Sequence, residues 1–266
     1  MNTVSLLETA IQAAEAAAEA IRRARQEPLQ VQSKGYRDEV TAADFAAERA
    51  IMDVIHARYP DHPILSEESI SDAALAAWTP PPGVVWVIDP LDGTTNYAHS
   101  IPTYATSIGA VVDGVPQAGA IMDVATGVLF AGARGQGVTV DGAPARVSAR
   151  ASFGEAIVAC DWAREPEVRS QIYAVVGHML SACRSLRRHG SAALTLAYVA
   201  AGWYDVYLHM ALKPWDMAAG VLMVQEAGGR VTTAHGEPFS LTGGSLLASN
   251  GALHEAALAH VRAALG

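Results

Sequence analysis

Cysteine is scarce in this chain. Cys160 and Cys183 are its only two, they form no CxxC pair, and no histidine cluster accompanies them, so a disulfide framework is excluded and reduced, buried thiols are expected. Long apolar runs are missing as well. No stretch reaches the ~18 consecutive apolar residues of a membrane span, and the N-terminus shows neither the basic start nor the apolar block of a signal peptide. A soluble, cytoplasmic protein without a membrane partner is expected. Positive charge is in deficit: 18 Lys and Arg stand against 27 Asp and Glu, a formal charge of −9. That balance argues against a dedicated nucleic-acid surface, and it repels phosphorylated metabolites unless bound cations offset it. The nucleotide and metalloprotease signatures GxxxxGK[ST], GxGxxG and HExxH are absent too. The glycines of Gly132-Ala-Arg-Gly135-Gln-Gly137 have the wrong spacing for a dinucleotide turn and read as a hairpin connection. Half of the 266 residues are apolar, enough for a sizeable core in one large domain or two packed halves.

The pattern of the chain changes near residue 150. Before it, residues 3–25 carry Leu7, Ile11, Ala14, Ala18 and Ile21 at helical spacing, with Ser5 and Glu8 as a capping box and Arg22, Arg23 and Arg25 as a solvated basic end. A second helix is predicted from Thr41 to Arg58, stopped by Pro60. Short strands follow at 64–69 and 84–88, then an antiparallel meander from Ala105 to Val147 with Asp113-Gly114 and Asp141-Gly142 as hairpin turns. After residue 150, strands are predicted at the EAIVAC run and at 184–188, 203–208, 230–233 and 245–249. They alternate with helices at 166–181, 190–201, 215–227 and from 251 onward, a layered α/β grammar. Two halves, 1–150 and 151–266, in one compact unit are the expected organisation.

Chemistry concentrates where apolar runs end in acids. VVWVI runs into Asp89-Pro90-Leu91-Asp92-Gly93. Pro90 fixes its own φ and Gly93 permits a sharp turn, so the two carboxylates can share one small volume. Carboxylates that close resist joint ionisation unless a cation lies between them, and hard oxygen ligands select Mg²⁺ or Ca²⁺ over zinc. Asp89 and Asp92 are equally ordinary as turn residues. Glu67 and Glu68 end a second apolar run, Asp216 opens a predicted helix after Pro214-Trp215, and Asp44 stands in the first turn of another. Each has a structural reading of its own: a solvated Glu68, a dipole-favoured Asp216, and Asp44 completing a capping box with Thr41. Gly93-Thr94-Thr95-Asn96 adds small residues whose backbone N–H groups suit a phosphate.

With these residues in place, WVIDPLDGTTNY (86–97), SEES (66–69), RRHGSAALTLAYVAAG (187–202) and LKPWDMAAG (212–220) together resemble the signature segments of the inositol monophosphatase family, in family order and over nearly the whole chain. The resemblance implies the layered αβαβα fold of the sugar phosphatases, an α/β arrangement with an antiparallel sheet in the first half and a smaller sheet in the second. It implies hydrolysis of a small phosphorylated metabolite with two or three Mg²⁺ ions, a homodimer, and lithium sensitivity. Carried over by position, Glu67, Asp89, Asp92 and the Leu91 carbonyl are metal ligands, and Asp216 completes a second metal site. Asp44 acts near a third ion or behind the ligands. Glu67, Asp44 and Thr94 are the catalytic set, with Thr94 orienting the attacking water. Gly93 and Thr94 contact the phosphate, and Gly190, Ser191, Ala192, His209 and Asp216 lie on the substrate side.

The chain departs from the family at His209, where many members place a glutamate for the substrate's hydroxyls, and around Lys34, where the pattern fits loosely. Histidine accepts through only one ring nitrogen, so inositol phosphate competes with histidinol phosphate, fructose bisphosphate and nucleotide 3′-phosphates as substrate. His209 packed at a strand end with no substrate role is the plainer alternative. Lys34, Arg188, His189 and Lys213 are candidates for an anionic pocket, or surface charges. A reading from another class is a regulatory binding protein built on the phosphatase fold.

Overall fold

The computed structural model describes residues 3–36 and 38–266. Helix α1 (Thr3–Ala24) buries a stripe of Leu6, Ala10, Ala13, Ala14, Ala17, Ala18 and Ile21, recurring at the three- and four-residue steps of one helix face. These small side chains let it lie close to helix α2 (Ala42–Arg58) and to the sheet beneath. The expected Ser5–Glu8 capping box does not form. Ser5 lies within α1 and shares a hydrogen bond with the Tyr59 hydroxyl, while Glu8 pairs with Arg58. The basic end of α1 is not wholly solvated either: Arg25 donates to the Tyr97 carbonyl at 2.7 Å and stacks over that ring. Between the helices, β1 (Val31–Gly35) and β2 (Asp38–Thr41) form an antiparallel hairpin.

The larger sheet has seven strands in the order β3-β4-β5-β6-β7-β8-β9: Ile64–Ser66, Val84–Asp92, Ala105–Val112, Val115–Asp123, Leu129–Ala133, Gly137–Val140 and Ala143–Ala145. The meander is antiparallel as predicted. Asp113-Gly114 and Asp141-Gly142 turn its hairpins with positive φ at both residues of each pair, as a two-residue hairpin turn requires. One edge pair of this sheet runs parallel. β3 runs parallel to β4 because the connection through short helix α3 (Asp72–Ala76) crosses over before β4 begins. Every residue of β4 is buried. Against β5, Asp89 faces Ser107 and Asp92 faces Ala105, so three steps on one strand match two on the other, a β-bulge. In a regular strand residues three apart point to opposite faces; one extra residue restores them to the same face.

Short helix α4 (Thr94–Ala98) follows β4 directly. The second sheet, in the order β11-β10-β12-β14-β13, joins Ser185–Arg187, Ile157–Cys160, Val206–Leu212, Gly244–Ser249 and Arg230–Thr232. Its first three strands are parallel and the rest antiparallel. Helices α5 (Pro166–Ala182) and α8 (His254–Leu265) cover its outer face, while α6 (Ala192–Ala200) and α7 (Pro214–Glu226) lie between the two sheets. The result is the layered αβαβα arrangement. α7 approaches the larger sheet through small residues: a Cβ added to Gly109 or Gly119, cross-strand partners, would lie 2.7 Å and 2.8 Å from the Cβ atoms of Ala218 and Ala219. β12 starts three residues later than predicted. Gly202 (φ +72°) turns the chain after α6, and the buried Asp205 carboxylate accepts from Arg150 and the Ile157 amide, so the strand begins at Val206 and carries His209 within it.

Candidate active site

The β4 bulge and the start of α7 converge on one point. Asp89, Asp92 and Asp216 each place an oxygen so that all three lie within 4.8 Å of one another. Asp216 stands in the first turn of α7, where its Oδ2 accepts the Lys213 amide at 2.6 Å, a position the helix dipole favours. Burial pushes every carboxyl in the cluster up. Asp89 rises well above the usual carboxylate range through burial, then through Glu67, Asp92 and Asp216 beside it. Burial with Asp92 nearby takes Asp216 to about 7. Such a set is held protonated or by a cation; its ligand chemistry, all carboxylate oxygen, fits Mg²⁺.

Asp92 is clamped from the other sheet's side. Ser191 donates its hydroxyl to Oδ2 at 2.5 Å, and the amides of Ala193 and Ala192 donate at 2.7 Å and 3.3 Å. The N-terminus of α6 is thus aimed at this carboxylate, and these hydrogen bonds partly offset the upward shift that burial imposes. Residues expected on the substrate side, Ser191 and Ala192, spend their polar atoms on Asp92 while lining the same cavity as Gly190. Asn96 fastens the seam from α4: its amide donates to the carbonyls of Thr103 and His189 at 2.7 Å and 2.8 Å.

Glu67, just past β3, lines the cavity beside the cluster, and its carboxyl is raised to about 8 by burial against the opposing pull of Lys34. Lys34, on the β1–β2 hairpin, lies 3.5 Å from Glu67 and 2.6 Å from Glu68. Glu68 is therefore paired and its side chain almost fully covered, not solvated.

Thr94 sits where the acids meet the turn. Its hydroxyl lies 3.0 Å from Asp44 Oδ1 and 2.9 Å from the Leu91 carbonyl, both acceptors. Having one proton to give, it keeps lone pairs with which to accept. Asp44 caps α2 as well: its Oδ2 takes the Thr41 amide and hydroxyl at 2.8 Å and 2.7 Å. The capping-box reading of Asp44 holds, and its other oxygen accepts from Thr94. Gly93 has φ +93°, and a Cβ there would approach the Thr103 carbonyl at 3.0 Å, so only glycine makes this turn.

These residues surround a cavity of about 610 Å³ that also takes in His209, Arg188 and Lys213. His189, one of the candidates for the pocket, is not part of its wall. Its ring turns the other way, bonded to the Tyr204 hydroxyl and packed edge-on against Tyr198, because Arg188 and Gly190 on either side face the cavity. Sequence reasoning missed Asp161, Trp162 and Arg164, which line the far wall, and the structural use of Asn96. Asp161 ends the apolar run AIVAC as Asp89 ends VVWVI, so the same signal was available for it.

The sequence pattern of the inositol monophosphatase family matches residues 2–265. Nus factor SuhB of Escherichia coli (strain K12) is 37% identical over 260 residues, covering 97% of this chain and 96% of the relative. Inositol-1-monophosphatase of Synechocystis sp. is 39% identical over 228 residues, covering 85% and 78%. The solved inositol monophosphatase from Anabaena superposes with a TM-score of 0.87 at 36% identity, covering 99% of this chain and 98% of that one. With a pattern spanning the fold and an acid cluster built from the larger sheet and the start of α7, the chain belongs to the inositol monophosphatase family.

Proposed function

We propose that this protein hydrolyses a small phosphate monoester by direct attack of water, with Mg²⁺ held by Asp89, Asp92, Asp216, Glu67 and the Leu91 carbonyl. The observation that carries the reading is the juxtaposition of three mutually close carboxylates with a threonine hydroxyl held between Asp44 and Leu91. Bound Mg²⁺, as two or three ions, supplies Lewis-acid stabilisation of the charge on the transferring phosphoryl group and leaving oxygen. The chain supplies the rest. Thr94 accepts a hydrogen from the attacking water through its free lone pair and passes its own toward Asp44, whose burial raises its proton affinity. The backbone N–H groups at Gly93 and Thr94 face the phosphate, and the cavity wall around Gly190, Ser191, Ala192 and His209 faces the alcohol. The halves 1–150 and 151–266 act as one unit in this reading, since Asp216 comes from the second and the other acids from the first.

A panel of phosphate esters, read by released phosphate with and without Mg²⁺, tests the reading, with Asp89→Asn as its control. The variant keeps shape and removes charge; turnover is expected to fall at least about 100-fold with the fold intact. Near-normal turnover in saturating Mg²⁺ would sink the assignment. Polyol phosphates of the inositol type lead the panel, with histidinol phosphate, fructose bisphosphate and nucleotide 3′-phosphates as the alternatives. A cytoplasmic homodimer inhibited by lithium belongs to the same proposal and rests on family membership.

The relative named Nus factor SuhB supports a second reading, a regulatory binding role on the same scaffold. Full rescue of a deletion strain by Asp89→Asn would favour it over catalysis.

A further inference from the structure

Beside the acid cluster, the cavity wall carries polar groups with unused capacity. Asp161 lies one step beyond the parallel pair Cys160–Leu208 and donates its own amide toward the Leu208 carbonyl, which sets it next to His209 across β10 and β12. Both line the cavity. The Asp161 side chain is only 9% exposed. One oxygen accepts the Gly190 amide at 2.9 Å and the other is buried without a hydrogen-bond partner. Burial raises the pKa of this carboxyl to about 7; once ionised the carboxylate offers about four acceptor sites, and leaving them unfilled in a buried position is costly. His209 is the complement. Its Nδ1 accepts the Ala211 amide at 3.0 Å, which places the proton of the neutral ring on Nε2, and burial keeps the ring neutral by lowering its pKa to about 3. It therefore offers a donor and no acceptor. Tyr207, two residues earlier on the same strand face, has a hydroxyl that is also buried and without partner.

We propose that Asp161 and His209 together read a hydroxyl on the alcohol part of the phosphate ester, Asp161 taking its hydrogen and His209 giving one to its oxygen. A hydroxyl satisfies both groups; an ammonium satisfies Asp161 and meets the His209 N–H donor to donor. The site therefore selects polyol phosphates over amino-alcohol phosphates such as histidinol phosphate. Arg188, stacked over Trp162 at 4.4 Å and 3.6 Å from Asp161, holds that wall. The inference rests on the phosphatase reading and names the substrate class of its site.

The test compares myo-inositol 1-phosphate with cyclohexyl phosphate, the same ring without hydroxyls, in the wild type and in Asp161→Asn. Asparagine keeps the oxygen for Gly190 and turns the other acceptor into a donor. The ratio of kcat/KM values, inositol over cyclohexyl ester, is expected to fall roughly tenfold, with the loss in KM. His209→Gln, which still donates, is expected to retain more of the ratio than His209→Leu. A merely structural role would lower both esters together and leave the ratio unmoved, and that result, in folded and active protein, overturns this inference alone. A wild type preferring histidinol phosphate to inositol phosphate would overturn it too. A wild type that cleaves no ester overturns the phosphatase reading and this inference with it.

Discussion

At the scale of single residues, the site is governed by which carboxylate oxygen is already committed. Asp44 divides its two oxygens between a helix cap and Thr94, and Asp92 commits Oδ2 to Ser191 and the start of α6 while Oδ1 takes only the longer Ala192 bond. Thr94→Val is accordingly expected to cost about 100-fold or more in turnover, while Thr94→Ser keeps most of it and the Mg²⁺ concentration for half-activity changes little in either. Ser191→Ala acts differently. It removes the 2.5 Å donor from Asp92 and the cap of the Leu194 amide, so a stability loss of about 1 kcal/mol is expected with altered Mg²⁺ affinity, read by thermal melting and Mg²⁺ titration. Much at this scale was legible in sequence. Asp89, Asp92 and Asp216 announce themselves as acids at the ends of apolar runs or the start of a helix, and they do converge. Asp161 obeyed the same rule and was passed over. The orientation of His189 was not legible, because neighbours in an irregular segment diverge by backbone geometry that residue type does not encode.

Elements position these residues, and their close approach depends on what is missing from their faces. α7 brings Asp216 to the end of β4 because Gly109 and Gly119 leave room for Ala218 and Ala219. Gly119→Val is expected to destabilise by about 1–3 kcal/mol through overpacking and to weaken Mg²⁺ binding in the same variant, as α7 retreats; denaturant unfolding and Mg²⁺ titration measure the two. Long periodic elements and Asp-Gly turns were readable from local pattern. The β1–β2 hairpin was not, since β1 is exposed along its whole length and shows no alternation. The shift of β12 depended on Asp205, whose partners Arg150 and Ile157 lie about fifty residues away in sequence; tertiary contacts decided that boundary.

For the whole molecule, the cost of gathering buried acids appears as pH-dependent stability. Glu67 is raised to about 8, and Asp216 and Asp161 to about 7, from unfolded values near 4. Between those limits the native chain binds more protons than the unfolded one, so stability falls as pH rises. Metal-free protein is therefore expected to melt highest near pH 4–5 and progressively lower toward pH 8, apart from the general acid unfolding seen at lower pH. Added Mg²⁺ is expected to raise the melting temperature more at pH 8 than at pH 5, because only ionised carboxylates bind it. Melts with chelator and with Mg²⁺ at both pH values check the sign. The layered architecture was legible from the change of grammar near residue 150. How both sheets contribute to one site became visible only with the register.

The extra residue in β4 has a further consequence. Strand geometry counts in twos, and the bulge between Asp89 and Asp92 lets an odd spacing of three behave as an even one. A regular strand with the same three-residue spacing would send the two acids to opposite sides, and removing the bulge by deleting Pro90 would draw them one residue closer and displace the Leu91 carbonyl that accepts from Thr94. Length can drift at the hairpin tips of this fold, but at this point one residue more or less breaks the alignment of the acids, the Leu91 carbonyl and Thr94.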